Sequence, residues 1–98
     1  MSKKVDTKSS SKFQIAETDT FSKNISDKKY SFLHTKIKNY VYPILKNNPF
    51  FGANIKKLKG DFANCYRYRI GKYRLFYTVD KNKIIIFVID VRHRKESY

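Results

Sequence analysis

At 98 residues the chain has room for one domain with one modest core, and not for two. Its 22 Lys and Arg against 8 Asp and Glu give a net charge of +14, which points to an anionic partner and leaves the fold undecided. A single cysteine, Cys65, excludes an internal disulfide, and Cys65, His34 and His93 are too few for a Cys-based zinc site, so no metal or other cofactor is expected.

The sequence opens on a Ser/Lys-rich stretch, residues 1–12, read as a disordered basic tail without the apolar core of a secretory signal. Residues 13–98 are read as the single domain. Phe13, Ile15 and Glu17 alternate with Gln14 and Ala16, which predicts a first strand ending near Thr18. A helical turn is expected between Ser22 and Lys29. The helix proper falls in 28–46, where Tyr30, Leu33, Ile37, Tyr40 or Val41, and Ile44 recur at helical spacing. Pro43 should kink it or end it near Tyr42, and Asn47, Asn48 and Pro49 stop it. His34 sits beside the stripe as a rim residue, and Phe50 and Phe51 should anchor the following loop on the core.

Lys56, Lys57 and Lys59 surround Leu58 in a short strand or irregular segment that turns at Gly60. A meander comes next, with strands at 65–70, 73–79 and 84–92 joined by turns at Gly71-Lys72 and Asp80–Lys83. Cys65 reads as a small, partly buried filler. The last strand is apolar from Ile84 to Ile89, as suits a central strand covered on both sides, but that uniformity cannot fix its register. The same run is far too short to cross a bilayer, so a cytoplasmic protein with no membrane partner is expected. The class is α+β: a small antiparallel sheet with one or two N-terminal helices on one face.

Gly71-Lys72 is a two-residue loop signal for a type II′ turn. It pairs Ile70 with Tyr73, Arg69 with Arg74, Tyr68 with Leu75, Arg67 with Phe76 and Tyr66 with Tyr77. Alternation then sorts the hairpin into two faces. Tyr66, Tyr68, Ile70, Tyr73, Leu75 and Tyr77 share one, suited to the helix. Arg67, Arg69, Arg74 and Phe76 share the other. Arg69 directly opposite Arg74 costs stability. An anionic ligand would explain it, because guanidinium forks match phosphate and Phe76 offers a stacking surface; the alternatives are acidic groups elsewhere that pair with these arginines, or arginines splayed into water. The last strand delivers Arg92, His93, Arg94, Lys95 and Tyr98 to one end. His93 there is a side chain whose ordinary pKa allows proton transfer near neutrality.

Four stretches in this order, Leu58-Lys59-Gly60, residues 66–77, residues 84–91 and residues 93–98, resemble the RelE/ParE toxin superfamily of bacterial type II toxin–antitoxin systems. The resemblance covers most of 13–98. It implies a RelE-like sheet with helices on one face and a concave basic surface on the other. It favours the RelE/YafQ branch, metal-independent endoribonucleases that cut mRNA, mostly on the ribosome. The alternative is the ParE branch, which inhibits DNA gyrase without nuclease action. By position, Arg67 and Arg69 match paired basic residues that are lysines in RelE, and Arg74 matches the arginine of its GYR stretch. Arg94 matches the catalytic basic position after the last strand, and Tyr98 the C-terminal aromatic that stacks on the substrate base. His93 stands one residue from a histidine of YafQ-like relatives. Catalytic roles therefore fall to Arg67, Arg69, Arg74, His93, Arg94 and Tyr98, and RNA contacts to Lys56, Lys57, Lys59, Phe76, Arg92 and Lys95. The expected partners are mRNA, the ribosome and a cognate antitoxin covering the basic face.

Overall fold

The computed structural model describes residues 13–60 and 64–95. The expected tail at 1–12 and Tyr98 lie outside the described residues. Strand β1 (Gln14–Glu17) leads into helix α1 (Asp19–Ile25) through Thr18. The Thr18 hydroxyl accepts from the Phe21 backbone N–H as an N-cap, and donates to the Val88 carbonyl at 2.8 Å. One side chain thus starts the helix and fixes it to the last strand. Phe21 and Ile25 are the buried face of α1.

After a 3-10 turn at Lys28–Tyr30, helix α2 (Ser31–Lys36) passes through a π turn (Ile37–Val41) into helix α3 (Tyr42–Asn47). The Tyr42 N–H reaches back to the Ile37 carbonyl, five residues away. Pro43 has no N–H, and its ring crowds the carbonyl four residues earlier, so a regular turn is unavailable here. The helix does not end at Tyr42. The expected stripe holds at Leu33, Ile37 and Val41, which are buried together with Leu45, and fails at Tyr40 and Ile44, which are 67% and 47% exposed. The wider turn rotates α3 relative to α2 and brings Leu45 inward. Of the two phenylalanines after the helix, Phe50 packs edge-on against Phe13 and Tyr66, and Phe51 points outward.

Strands β2 (Ile55–Lys57), β3 (Cys65–Ile70), β4 (Tyr73–Asp80) and β5 (Ile85–His93) complete a five-stranded sheet in the order β1-β5-β4-β3-β2. The short segment after the helix is therefore a strand, on one edge. β2 to β5 pair antiparallel, as expected, and β1 adds a parallel edge along Ile85–Val88. β5 is an inner strand, but its outer side is only half covered: Ile86 and Val88 are buried, and Phe87 and Ile89 are partly exposed. The helices cover one face, where Phe21, Ile37, Leu45, Leu75, Tyr77, Ile86 and Val88 are fully buried. Tyr77 donates its hydroxyl to the Pro49 carbonyl at 2.6 Å, and burial pushes its phenol well above the ordinary range.

Candidate nucleic-acid interface

The β3–β4 hairpin has the register its sequence dictates, with Ile70 opposite Tyr73, Arg69 opposite Arg74 and Arg67 opposite Phe76. Gly71 turns the chain at φ 55°, and Lys72 is not at positive φ, the sign pattern of a II′ turn. Tyr66, Tyr68, Ile70, Leu75 and Tyr77 are buried under the helices. The arginines stand on the opposite face.

The neighbouring strands extend this face into two transverse rows. Arg69, Arg74 and Arg92 lie side by side across β3, β4 and β5. At about 4.8 Å between strands, their three Cα positions span roughly 10 Å. The adjacent row is Lys56, Arg67, Phe76 and Asp90 across β2 to β5. Arg67, Arg74 and Phe76 are half-buried and Arg69 is exposed. The Arg67 Nε and Arg74 Nη1 atoms are themselves buried, so these side chains lie along the sheet.

A β-bulge at Phe76/Tyr77 aligns the rows. Tyr77 faces Val88 and Phe76 faces Asp90, so β5 carries one extra residue, Ile89. Without the bulge, Val91 would stand opposite Arg74, and Arg92 opposite Tyr73. With it, Val91 enters the core and Arg92 joins the arginines. Asp90 is 7% exposed. Its Oδ2 accepts from Arg92 Nε at 3.0 Å, and its Oδ1 accepts from the Val91 N–H at 2.8 Å and from the Asn24 side-chain amide. Neither Asp90 nor Asn24 stood out in the sequence. A lone acid in an otherwise apolar strand was the available signal.

His93 does not join the rows. It pairs with Tyr73 on the tyrosine side and packs edge-on against that ring at 5.3 Å. Its Nδ1 accepts from the Lys95 N–H at 3.2 Å. The Arg94 N–H donates to the Lys72 carbonyl at 2.8 Å, which brings the end of β5 beside the hairpin turn. Lys57 pairs with Tyr66, one position out of step with Lys56, and Lys59 lies just past the strand, exposed. Burial raises the pKa of the Cys65 thiol, as suits a filler. Among the described residues no three His, Cys, Asp or Glu side chains group as metal ligands, and no helix is long and apolar enough to cross a membrane.

A family model described as ParE toxin of type II toxin–antitoxin system, parDE, matches residues 36–98. No curated protein matches the chain in sequence. Among solved structures it is similar to the RelBE2 toxin–antitoxin complex of Mycobacterium tuberculosis, at TM-score 0.70 and 22% identity over 84% of this chain and 98% of that one. The archaeal RelE–RelB complex of Pyrococcus horikoshii matches at 0.58 and 22%, over 85% and 96%. A variant of the E. coli toxin RelE in the free state matches at 0.60 and 24%, over 87% and 86%. At these identities the likeness is one of fold.

Proposed function

The chain belongs to the family described as ParE toxin of type II toxin–antitoxin systems; that name alone would suggest a gyrase inhibitor, and it is from the arginine face that we propose a metal-independent endoribonuclease acting on mRNA, in association with the ribosome. The observation that carries this reading is the row Arg69–Arg74–Arg92 beside Arg67 and Lys56. A row of arginines at neighbouring strand positions offers forked donors to a phosphodiester backbone.

In such a reaction the ribose 2′-oxygen attacks the adjacent phosphorus, the bond to the 5′-oxygen breaks, and a proton passes from the first oxygen to the second. Arg67, Arg69 and Arg74 hold the phosphate and offset the charge that grows on its oxygens. Arg94, beside the turn, serves the leaving oxygen. Phe76 and Tyr98 hold bases by stacking. His93 moves the proton only if its ring leaves Tyr73, so the 2′-hydroxyl can depend instead on a group of the ribosome. Arginine, protonated throughout the working range, is a poor base.

That placement of His93 also favours a second reading, a toxin that binds DNA gyrase and cuts nothing. Expression of the wild type, Arg74→Ala and Arg94→Ala chains separates the two. The first reading expects broken transcripts and growth arrest, both lost in the variants. An SOS response with intact transcripts would establish the second. Undiminished cleavage by the variants would remove the arginine face from the reaction. In both readings the partner is an antitoxin whose acidic or amphipathic segment covers that face.

A further inference from the structure

β1 stops pairing with β5 at Val88, so the end of β5 that carries Arg92 is an open edge. Beyond it lies a cleft of about 420 Å³, lined by Lys23, Asn24, Asp27, Lys29, Tyr30, Val91 and Arg92. Three of these seven are cations and one is an acid. The cleft continues the row Arg69–Arg74–Arg92 around the edge of the sheet, toward α1 and the 3-10 turn.

Several contacts hold its walls. Asp90 is bonded to Arg92 on β5 and to Asn24 on α1, so one buried carboxylate fastens the two sides together. The Asp27 carboxylate accepts from the Lys29 backbone N–H at 3.1 Å. The Lys29 ammonium stands 5.1 Å from the Tyr30 ring centroid, and Tyr30 packs edge-on against Tyr73 at 5.9 Å. With Lys29 over one of its faces, the Tyr30 ring steadies a cation. Three cations against one acid suit the site to phosphate, and a pocket of a few hundred Å³ can admit one unit of a chain.

We propose that this cleft is a phosphate subsite for the RNA strand as it leaves the arginine row, with Lys23 and Lys29 as its added contacts and Arg92 shared between row and cleft. The inference rests on the RNA-directed reading above and names where the strand goes next. An acidic segment of a protein partner is the competing occupant.

The test uses the full chain and 2′-O-methyl RNA, which lacks the attacking hydroxyl and is not cut. Binding of a trinucleotide and an octanucleotide is followed by fluorescence anisotropy over a range of salt. The chains are the wild type, Lys23→Gln/Lys29→Gln, the charge-matched control Lys36→Gln/Lys83→Gln, and Arg69→Gln. Thermal melts confirm that each is folded. Each lost phosphate contact on a single strand should reduce the salt slope by about 0.7, so the cleft variant should lose about 1.4 and bind the octanucleotide roughly tenfold more weakly. It should bind the trinucleotide like the wild type, and Arg69→Gln should weaken both. An unchanged octanucleotide slope in the cleft variant, or an equal loss in the control, overturns the subsite while leaving the arginine face intact. A cleft variant that loses only affinity for an acidic antitoxin peptide assigns the cleft to a protein and overturns it too. A wild type that binds neither RNA overturns the subsite, while the ribosome-associated reading stands or falls on the transcript assay above.

Discussion

Glu17 shows how much a single side chain can hold together. Its Oε2 lies 2.9 Å from His34 Nε2 and accepts from the Tyr42 hydroxyl at 2.7 Å, joining β1 to α2 and α3. Burial alone would raise its pKa. The hydrogen bonds of His34 and Tyr42 and the charges of His34 and Lys38 outweigh that, and the net shift is downward. Burial, with the Glu17 carboxylate second, pushes the Tyr42 phenol far up, so it remains a donor. A carboxylate with a lowered folded pKa stabilises the fold above its unfolded pKa, and that contribution is lost as pH falls through the folded value. Glu17→Gln should therefore cost about 1 kcal/mol at pH 7, discounted for partial exposure. Urea unfolding at pH 7, 5 and 3 should show the gap closing below about pH 4, near the ordinary Glu value. A gap independent of pH would mean that packing, and not charge, is what Glu17 supplies. None of this cluster was visible in the sequence, where His34 was a rim residue and Glu17 merely the third member of an alternation. Its members are 17 and 25 positions apart, and only the fold brings them together.

Among the elements, the hairpin was legible and the helix only in part, for opposite reasons. A two-residue Gly-X loop fixes register through local geometry, and alternation then sorts every side chain. The stripe on the helix assumed a constant 3.6-residue period, and the π turn at Ile37–Val41 broke it. β5 lies between these cases. Its apolar run could not reveal the bulge at Ile89, yet that bulge decides whether Arg92 stands with Arg74 or with Tyr73. The parallel pairing of β1 with β5 joins segments about 70 residues apart, and no local pattern marks it. The hairpin also yields a sharp expectation. Like charges at directly opposed positions cost roughly 0.2–1 kcal/mol, so Arg69→Thr should raise the unfolding free energy read from urea titration by about that much while weakening RNA binding and toxicity. A variant less stable than the wild type would show that Arg69 is held by folding and not by function.

For the whole molecule, a charge of +14 on 98 residues means that the folded chain repels itself, most strongly where Arg67, Arg69, Arg74 and Arg92 share one face. A polyanion laid along that face, whether RNA or an acidic antitoxin segment, relieves the repulsion and so stabilises the fold that binds it. Inorganic phosphate should do the same in miniature. At matched ionic strength, phosphate should raise the melting temperature above that in chloride, and a concentration ten times Kd corresponds to about 1.4 kcal/mol. Phosphate also strengthens apolar burial in any protein by its exclusion from the surface. The double variant Arg69→Gln/Arg74→Gln separates the two causes. Exclusion acts on the whole surface, and the phosphate increment would survive the substitutions. Binding acts at the arginine row, and the increment over chloride should fall to near zero. An increment that persists in full would leave the row as a source of self-repulsion with no anion of its own.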